Sequence, residues 1–189
     1  MRKFFLFVWE IVKVIVISLI IILPVRYYLI QPFYVKGASM ENNFHDGQYL
    51  IIDEISYRFH APQRGQVIVF RYPRDPQEYF IKRVIGLPGE QVQIENGSVK
   101  IFNTAHPDGF VLNEPYLTSG LTTISDNTDK INIGANEYYV LGDNRNASKD
   151  SRYFGPVNKS FITGKVLFRG WPFNKITLYT PSYWPQYNN

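Results

Sequence analysis

Hydrolysis of a peptide or ester bond needs a nucleophile, a base to take its proton, and donors where negative charge develops on the attacked oxygen. Ser39 follows Gly37 and Ala38, small neighbours that let another backbone approach and leave the hydroxyl reachable. The same residues also suit an ordinary turn, so Ser39 alone does not decide the chemistry. Lys82 is more informative. It lies in residues 78–85, EYFIKRVI, where alternation puts Phe80, Lys82 and Val84 on one strand face and Tyr79, Ile81 and Arg83 on the other. A lysine between two apolar neighbours is open to desolvation, which disfavours its charged form. Lowering its pKa from about 10.4 by roughly three, worth about 4 kcal/mol, yields an amine able to accept a proton near neutral pH. The alternative is a lysine at a sheet edge, its stem packed and its head in water.

Residues 141–155, LGDNRNASKDSRYFG, are dense in turn formers and alternating charge. Ser148 can exchange a hydrogen bond with a neighbouring amine, and Asp150 and Arg152 can pair to hold it in place. The composition equally suits a solvated hairpin tip. Other chemistries find less support. His45, His60 and His106 are scattered without a ligand-like spacing, and Asp53 and Glu54 would point to opposite faces of a continuing strand. Cysteine is absent, which removes disulfides, thiol nucleophiles and cysteine-ligated metal. No cofactor and no metal are expected.

These side chains need a scaffold, and 189 residues allow one domain of ordinary size plus a short appendage. Aromatic residues at 16%, with frequent Pro and Gly, favour short strands and many turns. The net charge of +4 is concentrated at the start, where residues 1–31 hold Arg2, Lys3, Lys13 and Arg26 against Glu10, leaving 16 basic and 15 acidic residues in the rest. That balance argues against a nucleic-acid partner.

The appendage is residues 1–31. Residues 4–25, FFLFVWEIVKVIVISLIIILPV, have about the length a helix needs to cross a hydrocarbon core, and a helix over about 4–28 is expected. Glu10 and Lys13 interrupt the run but lie three apart on one helical face, where they can pair or snorkel. Arg2, Lys3 and Lys13 against Arg26 favour a cytoplasmic N-terminus by the positive-inside bias, with the rest of the chain outside. Trp9, Tyr27 and Tyr28 suit interfacial positions. A cleavable secretory signal is the competing reading, but Arg26, Tyr27, Tyr28, Phe33, Tyr34 and Lys36 make too bulky and long a stretch before the small residues at 37–39.

Residues 32–189 form the second region. Strands are expected over 47–52, 65–70, 78–85, 138–141 and 165–168, with a hairpin of 91–94 and 99–102 joined through Asn96-Gly97. No helix pattern of length follows the anchor. Residues 118–132, rich in Thr, Ser, Asn and Asp, read as a surface loop, and the aromatic, proline-broken ending TPSYWPQYNN as a tail over the domain or near a membrane surface.

In this order the pieces resemble a bacterial type I signal peptidase. GASM at 37–40 is similar to the nucleophile box, RGQVIVF at 64–70 to the strand box, YFIKRVIGLPGE at 79–90 to the lysine box and GDNRNASKDSRYFG at 142–155 to the last box. NEPYL at 113–117 and GWPFNK at 170–175 also resemble family segments. The resemblance implies a mostly β fold, a signal-peptidase-like domain of coiled antiparallel sheets behind one transmembrane helix. It implies Ser39 as nucleophile, Lys82 as general base, Ser148 as the residue orienting that lysine, and Asp150 with Arg152 as support. Met40 would border the substrate groove. Many members carry a serine where this chain has Gly37, so the Ser39 amide would supply one oxyanion donor and Gly37, or backbone elsewhere, the other.

The implied substrates are secretory preproteins with small residues at −1 and −3, cut extracytoplasmically at the inner membrane, beside the lipid bilayer and near the translocation machinery. A self-cleaving repressor shares the dyad but carries DNA-binding helices where this chain has an anchor. A catalytically silent, membrane-tethered binding homologue is the alternative from another class, and it should lack Ser39 or Lys82.

Overall fold

The computed structural model describes residues 2–28, 30–185 and 187, and for residues 24–28 and 30 it describes the backbone alone. The expected placement of the Tyr27 and Tyr28 side chains at an interface, and of Gln186, Asn188 and Asn189 in the tail, lies outside what is described. Helix α1 (Arg2–Tyr28) is continuous. Its stretch Arg2–Leu23 is long and apolar enough to cross a membrane by length and composition, and none of it is buried in the protein. Lys13 Nζ meets Glu10 Oε1 at 2.6 Å, the neutralising contact that the three-residue spacing predicts.

Strands β1 (Ile30–Tyr34) and β2 (Tyr49–Asp53), the single-turn helix α2 (Ser56–Phe59), and strands β3 (Val67–Tyr72), β4 (Asp75–Gly86), β5 (Gln91–Glu95), β6 (Ser98–Phe102), β7 (Phe110–Val111), β8 (Ile131–Asn132) and β9 (Glu137–Leu141) follow. The chain continues through the single-turn α3 (Ser151–Phe154), β10 (Val157–Asn158), the long β11 (Ile162–Trp171) and β12 (Thr177–Leu178). They make two antiparallel sheets, one ordered β1-β2-β11-β3-β4-β9-β10 with β12 on β11, the other β7-β6-β5-β8. The expected mostly β fold of antiparallel sheets behind an apolar helix is the one that forms.

The apolar run of β3 explains the layering. Val67 and Val69 belong to one buried cluster with Val35, Met40, Phe44, Leu50 and Ile52, while Ile68 and Phe70 belong to another with Val84, Tyr138, Val140 and Val157. A strand apolar on both faces is one whose sheet is covered on both sides. A third cluster, including Ile85, Val92, Ile101, Ile133 and Leu141, joins the two sheets.

The strand boundaries move from the sequence expectation where turn chemistry intervenes. Gly47 and Gly65 have φ of +82° and +85°, so β2 and β3 start two residues later than expected. The hairpin forms as expected, with Asn96 and Gly97 at φ 51° and 77°, the paired positive values of a type I′ turn. The 118–132 loop needs correction at two points. Ile131 and Asn132 pair with Val92 and Gln91, and Thr123 is buried, its amide donating to Gly97 O at 2.8 Å. Polar composition hid both because the partners are distant in sequence. The tail lies over the domain, with Trp184 buried and Tyr187 Oη donating to Asn113 O at 2.8 Å.

Gly86 stands at a register shift between β4 and β9, just before the turn into the second sheet. A Cβ there would lie 2.3 Å from Ile133 Cδ1 and 2.6 Å from Val92 Cγ2. Gly86→Ala is therefore expected to lose about 1–3 kcal/mol of stability through overpacking. Urea denaturation of the detergent-solubilised protein measures it, and an unchanged midpoint would show that the two side chains yield freely.

Candidate active site

β4 pairs with β3 over most of its length, from Arg83 opposite Val67 to Asp75 opposite Tyr72. On its other edge it pairs with β9 only from Arg83 onward. Residues 75–82 thus have no strand partner on that side among the described residues. An unpaired edge displays backbone donors and acceptors to whatever extended chain comes alongside. Lys82 is the last residue before pairing resumes. Beside the edge lies a cleft of about 550 Å³, walled by Phe33, Val35, Leu50 and Ile81 and containing Ser39 and Lys82.

Ser39 sits in a tight turn. Glu41 N donates to Ala38 O and Phe44 N to Met40 O, at 3.1 and 2.8 Å. Met40 and Phe44 point into the core, at 1% and 0% exposure. This corrects Met40, expected to border the groove. The turn that presents Ser39 outward sends the next side chain inward, where Met40 Sδ accepts from Asp143 N at 3.4 Å. From the far side Asn144 holds the turn, its amide on Ser39 O at 3.1 Å and its Nδ2 on Ala38 O at 3.0 Å. The approach is possible because residue 142 is glycine. A Cβ there would fall 2.5 Å from Ser39 O and 2.1 Å from Ser148 Oγ.

Lys82 Nζ donates to Ser39 Oγ at 2.6 Å and to Ile81 O at 2.8 Å. The residue is 3% exposed. Burial pulls its pKa down to about 8, against the opposing fields of Asp150 and Asp143. The desolvation expected from its apolar neighbours is therefore present, and Phe80 lies 5.2 Å from the amine.

The other sequence-derived residues separate into two groups. Asp150 and Arg152 pair as expected, Arg152 Nε on Oδ1 and a terminal nitrogen on Oδ2, both at 2.8 Å. Asp150 Oδ2 also accepts from Gly142 N at 3.0 Å, fixing the glycine that packs on Ser39. Ser148 departs from expectation. Its Oγ is buried with no hydrogen-bond partner among the described residues, and the Lys82 amine is held by Ser39 and Ile81 O. Gly37 departs too, because its amide is taken by Asp46 Oδ1 at 2.6 Å and is not free to meet an oxyanion. The Ser39 amide donates to no group among the described residues.

Three supports were not legible as such. Arg83, next to Lys82, is also buried, and binds Asp143 through Nε at 2.8 Å and a terminal nitrogen at 2.6 Å. Strand alternation placed Arg83 opposite Lys82, but did not show that this face is covered too. Its guanidinium lies 3.9 Å from the Tyr116 ring centroid and donates to Gly65 O at 2.7 Å. Arg145 forms a second buried pair with Glu114, bonds Thr123 Oγ1, and donates to Gly142 O at 3.0 Å. Asn144 is the third. The 113–117 segment thus serves the site through Glu114 and Tyr116, whose partners no spacing within that segment identifies. Among the described residues no cluster of His, Cys, Asp and Glu could hold a metal ion.

Comparison with known proteins identifies the family. Residues 8–171 match the family model described as signal peptidase, peptidase S26. The chain is similar to a probable signal peptidase I-2 of Synechocystis sp., 33% identical over 177 residues, 90% of this chain and 77% of the relative. It is also similar to a probable signal peptidase I-1 of that organism, 34% identical over 89% of this chain and 85% of the relative. Signal peptidase IB of Staphylococcus aureus is 31% identical over 85% of this chain and 88% of its own.

Asp143→Ala leaves the Arg83 charge buried without a carboxylate, a loss of about 3–5 kcal/mol. Replacing both, Arg83→Met with Asp143→Leu, is expected to restore most of it. Equilibrium unfolding of the two variants against wild type measures both effects, and a single-variant cost under about 1 kcal/mol would show that this pair does not hold the site.

Proposed function

Because the chain belongs to the S26 signal peptidase family, we propose that Ser39 and Lys82 are the nucleophile and general base with which it cleaves. The chain is a serine peptidase that removes signal peptides from preproteins. The observation that carries the dyad is the buried amine 2.6 Å from the Ser39 hydroxyl. Neutral Lys82 takes the Ser39 proton, Oγ attacks the scissile carbonyl, and the resulting ammonium protonates the leaving amine. A water deprotonated by the same lysine then releases the acyl-enzyme. Ser39 N supplies one donor to the developing oxyanion. Asp150 with Arg152 holds Gly142 against Ser39, and Ser148 fills the space beside that contact.

The substrate lies extended along the open edge of β4 as an added strand, its small −1 and −3 side chains entering the cleft beside Ile81. Residues 1–31 act as a single-pass anchor in the cytoplasmic membrane with the N-terminus inside, and residues 32–189 as the extracytoplasmic catalytic region in the bilayer's vicinity, close to where translocated chains emerge. The silent binding homologue is disfavoured, since both members of the dyad are present and in hydrogen-bond reach.

In detergent, with a preprotein as substrate, Ser39→Ala, Lys82→Ala and Lys82→Arg are each expected to lower turnover by about 10³-fold or more. Arginine fails because guanidinium keeps its proton. The sign of the pH dependence follows from Lys82. Its charged form is inactive, so wild-type kcat/KM should rise by about tenfold per pH unit below the lysine's pKa of about 8 and level off above it. Processing by all three variants at the wild-type rate, or a flat profile from pH 6 to 9, would remove the dyad.

A further inference from the structure

A second cleft, about 390 Å³, is lined by Glu41, Asn42, Thr118, Ser119 and Asn144, with Gly120 and Leu121. It shares no lining residue with the cleft that holds Ser39 and Lys82. The two are nonetheless joined by their walls. One wall runs through residues 33–39 in the first cleft and through Glu41 and Asn42 in the second; the other runs through Ala147 and Lys149 in the first and through Asn144 in the second. The two walls bond to each other between the clefts, through Asn144 N on Ser39 O and Asn144 Nδ2 on Ala38 O. Ser39 therefore lies where one cleft gives way to the other.

The two differ in the residues that line them, the first having Lys36, Glu78, Lys82 and Lys149 beside its apolar side chains. The first is floored by Phe33, Val35, Leu50, Val69 and Ile81 and begins on β1, directly after α1. On the function proposed above, a signal peptide whose apolar core shares the membrane with α1 would reach Ser39 from that side. The second is lined mostly by residues with polar side chains, of which one is charged, Glu41, and it makes no ion pair among the described residues. Its far wall is the 118–121 turn, tied down by Asn42 Nδ2 on Thr118 Oγ1 at 2.7 Å and Asn43 Nδ2 on Tyr116 O at 3.0 Å.

We propose that this polar cleft is the subsite for the leaving segment, the first residues of the mature protein after the cut. Glu41 sets its sign, favouring basic over acidic side chains there. The inference rests on the peptidase reading above and adds where the product's new N-terminal residues lie. It also gives residues 118–121 a role beyond that of a surface loop.

The test is a panel of preprotein substrates with Lys, Ser or Glu at each of the first four positions after the cut, and a matched set altered before it. The readout is the ratio of kcat/KM for Lys over Glu at each position within one enzyme preparation, which cancels any loss of folded enzyme. Wild type should favour Lys at one or more of the four positions by about 1.5- to 5-fold, the range of an exposed ion pair. Glu41→Lys should invert the ratio at the same position, and Ser119→Lys, on the opposite wall, should shift it in the same direction. Ratios unmoved by either variant, or moved only at positions before the cut, would overturn the subsite. A wild-type protein that cleaves no member of the panel would instead take down the peptidase reading itself, and this inference with it.

Discussion

The site depends on holding an amine out of water without giving it a carboxylate to rest on. Lys82 is buried beside Ser39, and a bare ammonium there is penalised by desolvation, which is what frees its lone pair near neutral pH. A direct carboxylate contact would reverse this by favouring the charged form. Two carboxylates do stand nearby, and the fields of Asp150 and Asp143 both act to raise the Lys82 pKa. Each is clamped by its own arginine, Asp143 by Arg83 and Asp150 by Arg152. So engaged, neither carboxylate hydrogen-bonds the amine, whose partners are Ser39 Oγ and Ile81 O.

This accounts for buried ion pairs in a place where apolar packing would serve stability as well or better. The carboxylates are needed for geometry. Asp150 fixes the Gly142 amide, and Asp143 receives both Arg83 and Asn43. Arg145 then reaches back to Gly142 O while binding Glu114. Gly142 is thereby held from its amide and its carbonyl at once, and because it lacks a Cβ it can lie against Ser39. The position of Ser39 is thus set by a backbone approach that the Asp150 and Arg145 side chains hold in place.

β4 links this chemistry to binding. Where it pairs with β9, from Arg83 to Gly86, it is core. Where the β9 side is open, it forms one wall of the cleft. Open edges invite unwanted pairing, and here the exposed part of the strand begins Asp75-Pro76-Gln77-Glu78, a charged, proline-containing stretch of the kind that discourages it. The transition from open to paired falls at Lys82, so one strand carries both the open edge and the buried amine.

The sequence by itself was enough to place the apolar N-terminal helix, the main strands, the Asn96-Gly97 hairpin and the two residues proposed as the dyad, because each is written in local pattern. Hydrophobic run length, period-two alternation, turn residues and the apolar neighbours of Lys82 all act over a few positions. It also paired Asp150 with Arg152, which are two residues apart. Only the tertiary structure decided that Met40 is core and Gly37's amide is occupied. It alone brought Asp143 to Arg83 and Glu114 to Arg145, made Gly142 the point of closest approach, and made Thr123 and residues 131–132 part of the folded body. These facts concern which groups meet across 9 to 103 positions of chain, and burial of a charge is set by the partner and the covering layer it finds as much as by the residues beside it in sequence.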